Sequence, residues 1–193
     1  MPNKPCGLVR LRDLAPGLRV ALAYAENGNF LGRALYDANE AWLLEETALK
    51  VAAAQAALER RGLGLLVLDA FRPLAAQRLM WEALPDEDFV APPSRGSIHN
   101  RGAAVDLSLV DAAGRELPMP CPFDEFSPRA SHGYTGGSPE ERDNRALLRE
   151  TMEAAGLRHY AAEWWHYSDP ALRASPLLDL GLAELERMAG LGD

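Results

Sequence analysis

The spacing of hydrophobic and polar positions changes several times along the chain, and each change predicts an element. Residues Leu18 to Tyr24, LRVALAY, alternate apolar and polar positions as a short strand does. The sequence ENGN after it is a turn. From Asn39 to Arg61 the pattern becomes helical. That stretch is rich in Ala, Leu and Glu, and Trp42, Leu49, Leu58 and several alanines supply a buried stripe. Asp37 or Asn39 is placed to cap its start, and Gly62 to end it. Leu63 to Phe71, LGLLVLDAF, is a short apolar run that predicts a buried strand closing on Asp69. Pro73 opens a second helix that runs to about Leu84, because proline suits a first helical turn.

Residues 85–96 have loop composition, and Ala103 to Asp111 alternate again as a strand that AAGRE then turns. Between Leu117 and Gly137 there are four prolines and three glycines, so this predicts a long ordered loop of the kind that lines sites. Ser138 is the N-cap of a third helix, with Pro139 in its first position and Gly156 at its end. LRHYAAEWWHYSD, from Leu157 to Asp169, predicts strand structure from its aromatic content, and LGLAELERMAG predicts a short amphipathic helix. Helices and strands are mixed, and two connections look like hairpin turns. The expected fold class is α+β: a central, mostly antiparallel sheet flanked by helices, in a single domain over residues 1–193.

Composition narrows the function. Apolar residues make up 48% of the chain, enough for a core and too much for a disordered protein. The net charge is −8 with no basic run, which argues against nucleic acid as a partner. No segment approaches membrane-spanning length and the first residues lack a signal-peptide core, so the expected location is the cytoplasm; a periplasmic one stays open if a leader was removed. Cys6 and Cys121 are too few and too distant for a disulfide framework. The sequence does not fix the oligomeric state.

Three segments carry candidate chemistry. In SIHNRGAAVD, His99 and Asp106 can share a metal ion only if the chain doubles back, since an extended backbone would separate them by roughly 23 Å. Gly102 supplies that freedom. A capped strand with a surface histidine is the other reading of this segment. In EWWH, Glu163 and His166 sit three apart around two tryptophans. His166 can complete a His-Asp-His set, the form of a catalytic zinc site with an open position, and Glu163 is then the free carboxylate facing the activated water. Manganese or iron also suit these donors. On a regular strand positions three apart point to opposite faces, so a bulge, a turn or a strand end is expected here. An aromatic core strand with a histidine at its rim is the alternative. In DAFRP, Arg72 lies between a strand and a helix, where its fork of donors suits either an oxyanion or a salt bridge. His159 reads as a surface residue, and His132 as a possible rim residue of a site in the long loop.

Taken in order, Arg72, then S-x-H-x-x-G-x-A-x-D from Ser97 to Asp106, then E-x-x-H from Glu163 to His166, resemble the zinc D-alanyl-D-alanine dipeptidases. These belong to a wider group with D,D-carboxypeptidases and the hedgehog domain. The N-terminal LAYAENGNFLGRALY is similar to the dipeptidases' own start, so the resemblance spans roughly residues 18 to 168. It implies a hedgehog/D,D-peptidase-like fold, one zinc per chain on His99, Asp106 and His166, Glu163 as general base, and Arg72 stabilising the tetrahedral intermediate. It further implies a dipeptide pocket lined by Tyr24, Ser97 and Asp124, with Asp124 meeting the substrate's amine. The expected activity is hydrolysis of the D-Ala-D-Ala dipeptide, linked to cell-wall turnover. The alternatives are a D,D- or L,D-carboxypeptidase acting on longer wall peptides, and a non-catalytic zinc-containing module of the hedgehog type.

Overall fold

The computed structural model describes residues 4–87 and 90–190. Two sheets form among them. In the smaller, β1 (Leu8–Arg10) pairs antiparallel with β3 (Trp42–Leu44). The larger contains β2 (Arg19–Val20), β4 (Leu63–Asp69), β5 (Ala104–Asp111), β6 (Arg158–Tyr160) and β7 (Glu163–Ser168), in the order β2-β4-β5-β7-β6. Only β2 and β4 run parallel; the other neighbours are antiparallel. The helices are α1 (Leu11–Leu14), α2 (Glu45–Glu59), α3 (Leu74–Ala83), α4 (Pro139–Ala154) and α5 (Leu182–Met188). This is the mixed, mostly antiparallel α+β class that the pattern predicts.

The central strands are covered on both faces. All of β5 except its last residue is buried, Asp106 and Ser108 included, so its polar alternation does not mark a solvent-facing side. α4 presses Leu148 and Met152 into the same core as Leu65, Val105, Trp164 and Tyr167. Each fully buried side chain of this size contributes about 1.5–3 kcal/mol. Among the described residues no helix is long and apolar enough to cross a membrane.

The element boundaries differ from the sequence expectation where tertiary contacts compete with local propensity. The helix expected from Asn39 begins only at Glu45, because Trp42–Leu44 is taken up by pairing with β1. Neither proposed cap serves it. Asn39 Oδ1 accepts from Leu22 N at 3.0 Å, and Asp37 Oδ1 accepts from Ala183 N in the first turn of α5 at 3.1 Å. The strand expected over Leu18–Tyr24 shrinks to β2, because Ala23–Ala25 form a 3-10 turn and Tyr24 O accepts from both Leu35 N and Tyr36 N. The single strand-like stretch from Leu157 splits into the hairpin β6–β7. Ser138 caps α4 as expected, and the structure adds a full capping box, with the Glu141 side chain accepting from Ser138 N.

Candidate metal centre and active site

Strand register builds the floor of the site. On the large sheet Asp69 stands opposite Asp106, and Asp106 opposite His166. Directly opposed residues share a face, so the three side chains form one row across β4, β5 and β7. β4 joins that row through a bulge. Val67 opposes Leu107, yet Asp69 opposes Asp106, so two steps on β4 answer one on β5 and Leu68 is the extra residue. In a regular ladder Asp69 would face Val105 and turn its carboxylate to the other side of the sheet.

His99 reaches the row from above. A 3-10 turn over His99–Arg101 ends in Gly102 at φ +67°, and the chain reverses into β5. A Cβ on Gly102 would lie 2.5 Å from Leu8 Cδ2 and 3.2 Å from the Leu44 backbone nitrogen, so both conformation and space require glycine. Arg72 N donates to His99 O at 3.2 Å, and Asn100 Nδ2 donates to Arg72 O at 2.8 Å. These bonds tie the arginine segment to the histidine turn.

The donor atoms converge. His99 Nε2 and His166 Nδ1 are 3.1 Å apart, His166 Nδ1 and Asp106 Oδ1 3.0 Å, and His99 Nε2 and Asp106 Oδ1 3.4 Å. A tetrahedral zinc site with bonds of about 2.0–2.1 Å needs donors about 3.3–3.4 Å apart along each edge. The triangle therefore fits one small divalent ion with a fourth corner open. Among the described residues, these three form the one group able to hold a metal. The outer contacts fit as well. His99 Nδ1 lies 2.8 Å from Ala70 O. A carbonyl only accepts, so Nδ1 carries the proton and Nε2 turns its lone pair inward. Burial opposes ionisation of Asp106, but the imidazoles of His99 and His166 outweigh it and hold the carboxyl well below the usual range.

Glu163 is the first residue of β7, just past the hairpin turn, and the β6–β7 register shifts beside it between His159 and Tyr160. The strand end resolves the three-residue spacing. Glu163 Oε2 lies 3.9 Å from His166 Nδ1. Burial, with the nearby charges of Asp106 and Asp124, pushes its carboxyl up to about 7, although His166 pulls the other way. Asp124 is also raised to about 7, chiefly by burial, while its Oδ2 accepts from Tyr24 OH at 2.8 Å. Its backbone sits at φ +59°, an uncommon conformation that often marks working residues.

Arg72 is held by Asp69. Its Nε and Nη2 donate to Asp69 Oδ2 at 3.0 and 2.7 Å, and its Nη1 to Gln77 Oε1 at 3.0 Å. Asp69 Oδ1 in turn accepts from Tyr36 OH at 2.6 Å. The guanidinium lies 5.3 Å from the centre of the Tyr24 ring, with two of its five N–H donors unspent. The salt-bridge and oxyanion readings of Arg72 are thus compatible.

All eight residues named from the sequence (Tyr24, Arg72, Ser97, His99, Asp106, Asp124, Glu163 and His166) line one cavity of about 450 Å³. Trp165 lines it too, whereas Trp164 points into the core and donates to Cys121 O at 3.2 Å. His132 does not line it; its ring packs on His159 instead. Sequence reasoning missed the supports, Asp69, Tyr36, Gln77 and Asn100. The only signal was for Asp69, a lone charge at the end of a buried strand.

The family model described as D-ala-D-ala dipeptidase matches residues 4–177. The chain is 35% identical over 171 residues to the D-alanyl-D-alanine dipeptidase of Escherichia coli strain K12, covering 89% of each chain. It is 32% identical over 182 residues to that of Enterococcus faecium, covering 83% of this chain and 90% of the relative. The Streptomyces coelicolor protein of the same name is 32% identical over 180 residues, covering 81% and 88%.

Proposed function

The chain belongs to the D-ala-D-ala dipeptidase family, a family of metallopeptidases, and on that premise we propose that it hydrolyses D-alanyl-D-alanine to two molecules of D-alanine with zinc as its metal. The observation that carries the proposal is the donor triangle of His99, Asp106 and His166, with edges of 3.0 to 3.4 Å, opening onto a cavity that also holds Glu163 and Arg72. His99, Asp106 and His166 would hold the ion. When bound, it supplies Lewis acidity toward the scissile carbonyl and acidifies a water molecule.

The chain's own residues do the rest. Glu163 takes a proton from the attacking water and delivers it to the leaving amine. Burial suits it to this double duty, because a carboxyl near neutrality both accepts and returns a proton. Arg72 directs its unspent donors at the oxyanion that develops on the carbonyl oxygen, and Asp69, fixed by Tyr36, holds the guanidinium in place. Asp124, aligned by Tyr24, receives the substrate's ammonium. Trp165 and Tyr24 line the cavity and pack edge-on against Phe123 between them, with ring centres 5.3 and 6.2 Å apart, an aromatic group that limits water. A zwitterionic dipeptide suits a cavity of this size better than a long peptide.

The test is metal analysis of the purified protein joined to hydrolysis assays with D,D-, L,D- and L,L-dipeptides and a D-Ala-D-Ala-terminated pentapeptide. One equivalent of zinc with preference for the free D,D-dipeptide is expected. Faster cleavage of the pentapeptide would make it a carboxypeptidase; zinc without turnover of any peptide would make it a binding module.

A further inference from the structure

A dipeptide has two charged ends, and the site described above answers only one. Four arginines line the cavity: Arg72, Arg95, Arg101 and Arg173. Three are already engaged. Arg72 is bound to Asp69 and Gln77. Arg95 pairs with Glu87 at 3.2 Å, which offsets its charge. Arg101 commits both terminal nitrogens to backbone carbonyls, donating to Ser175 O and, at 3.1 Å, to Arg95 O, which fixes its guanidinium against the turn. Ser97, which also lines the cavity, donates its proton to Asn100 Oδ1 at 3.1 Å and so has only acceptor capacity left. Arg173 makes no hydrogen bond or ion pair with any described residue, although it is exposed and lines the cavity.

Its segment is nonetheless fixed in place. Leu178 N donates to Asn100 O at 3.0 Å, and Arg101 grips Ser175 O, so residues 173–178 lie along the Ser97–Arg101 turn. Asp124 belongs to a different wall, beside Tyr24 and Phe123. The cavity therefore carries an acidic group on one wall and an uncommitted guanidinium on another, the charge pattern of a zwitterion.

Building on the proposed activity, we infer that Arg173 binds the C-terminal carboxylate of the dipeptide and sets the preference for substrates with a free C-terminus. A guanidinium suits this task because its fork matches both carboxylate oxygens. Being exposed, it contributes through solvent-screened contact, so its effect is moderate and falls on KM.

The experiment compares D-Ala-D-Ala with its C-terminal amide, using the full metal-loaded chain as wild type, Arg173→Gln and Arg173→Lys. Wild type is expected to favour the acid. Arg173→Gln should raise KM for the acid roughly threefold to fivefold, the upper end for one solvent-screened charge pair. It should leave kcat for the acid and KM for the amide unchanged, so that the preference collapses. Arg173→Lys should recover part of it. A structural role would move both substrates together. Retention of the wild-type preference in Arg173→Gln would overturn the inference while leaving the dipeptidase reading intact. Failure of the wild type to cleave either compound would remove that reading, and the inference with it.

Discussion

The molecule contains two imidazole pairs of nearly the same shape. The rings of His99 and His166 are 4.9 Å apart at 63°, and those of His132 and His159 are 4.7 Å apart at 68°. Their surroundings differ. Around the first pair, Asp106 closes a triangle of donor atoms, and Ala70 O fixes one tautomer from behind. Around the second, His159 Nδ1 turns away to Glu153 at 2.6 Å, while His132 Nε2 lies buried without a hydrogen-bond partner. Proximity of imidazoles is therefore not what makes a metal site. A candidate site needs convergent lone pairs and a carboxylate as well, and among the described residues strand register and the Gly102 turn bring these together in one place.

Breaking the first pair should have the largest effect. His166→Ala or Asp106→Ala removes a donor, so bound zinc, read by mass spectrometry after dialysis, should fall from one equivalent to near zero, and activity with it. His132→Asn and His159→Ala should leave the metal content unchanged. If they abolish it, the His132–His159 pair also takes part in holding the metal.

Next is Glu163→Ala. The donor triangle is untouched, so metal should remain while kcat/KM drops about 10³-fold, the range of a positioned general base. Turnover near the wild-type rate would refute the base assignment.

Asp69→Ala probes the support beneath the first pair. It strips the counter-charge from a guanidinium whose side chain is only 11% exposed. Breaking a buried pair in this way costs about 3–5 kcal/mol. Denaturant unfolding should show that loss, and the surviving protein should have a lower kcat. A stability change within error would show that Arg72 finds other partners.

The smallest effect belongs to the second pair and depends on pH. Burial, with the charges of His159, Arg149 and Arg145 around it, pushes His132 down to about 3. A histidine near 6.5 when unfolded and depressed when folded favours the native state at higher pH. Its contribution is complete above about pH 6.5 and is lost as pH falls toward 3. His132→Asn cannot take up that proton. The mutant's stability, followed by thermal melting, should therefore fall less steeply than wild type across this window, by about 1–2 kcal/mol after screening. Parallel curves would place the acid sensitivity elsewhere.

The legibility of the fold followed the same divide. α4 was readable because Ser138, Pro139 and Gly156 are local signals that act within one turn. Trp42–Leu44 was not, because a short apolar run serves a helix or a strand equally, and only β1 decided between them. The chemical residues stood out as types: few histidines, a glycine where the chain must reverse, a charge among tryptophans. The supports did not. Tyr36, Gln77 and Asn100 are ordinary residues that gain a role only by touching Asp69, Arg72 and Ser97.

The sequence by itself determined which side chains could do chemistry and how each local segment could bend, since donor types, glycine freedom and helix caps are properties of a few neighbouring residues. Tertiary structure decided which of them meet. Asp69, Asp106 and His166 come into one row through hydrogen-bond register and a single bulge between distant strands. A register one residue out would send the Asp69 side chain to the other face of the sheet, and no local signal in the chain records that choice.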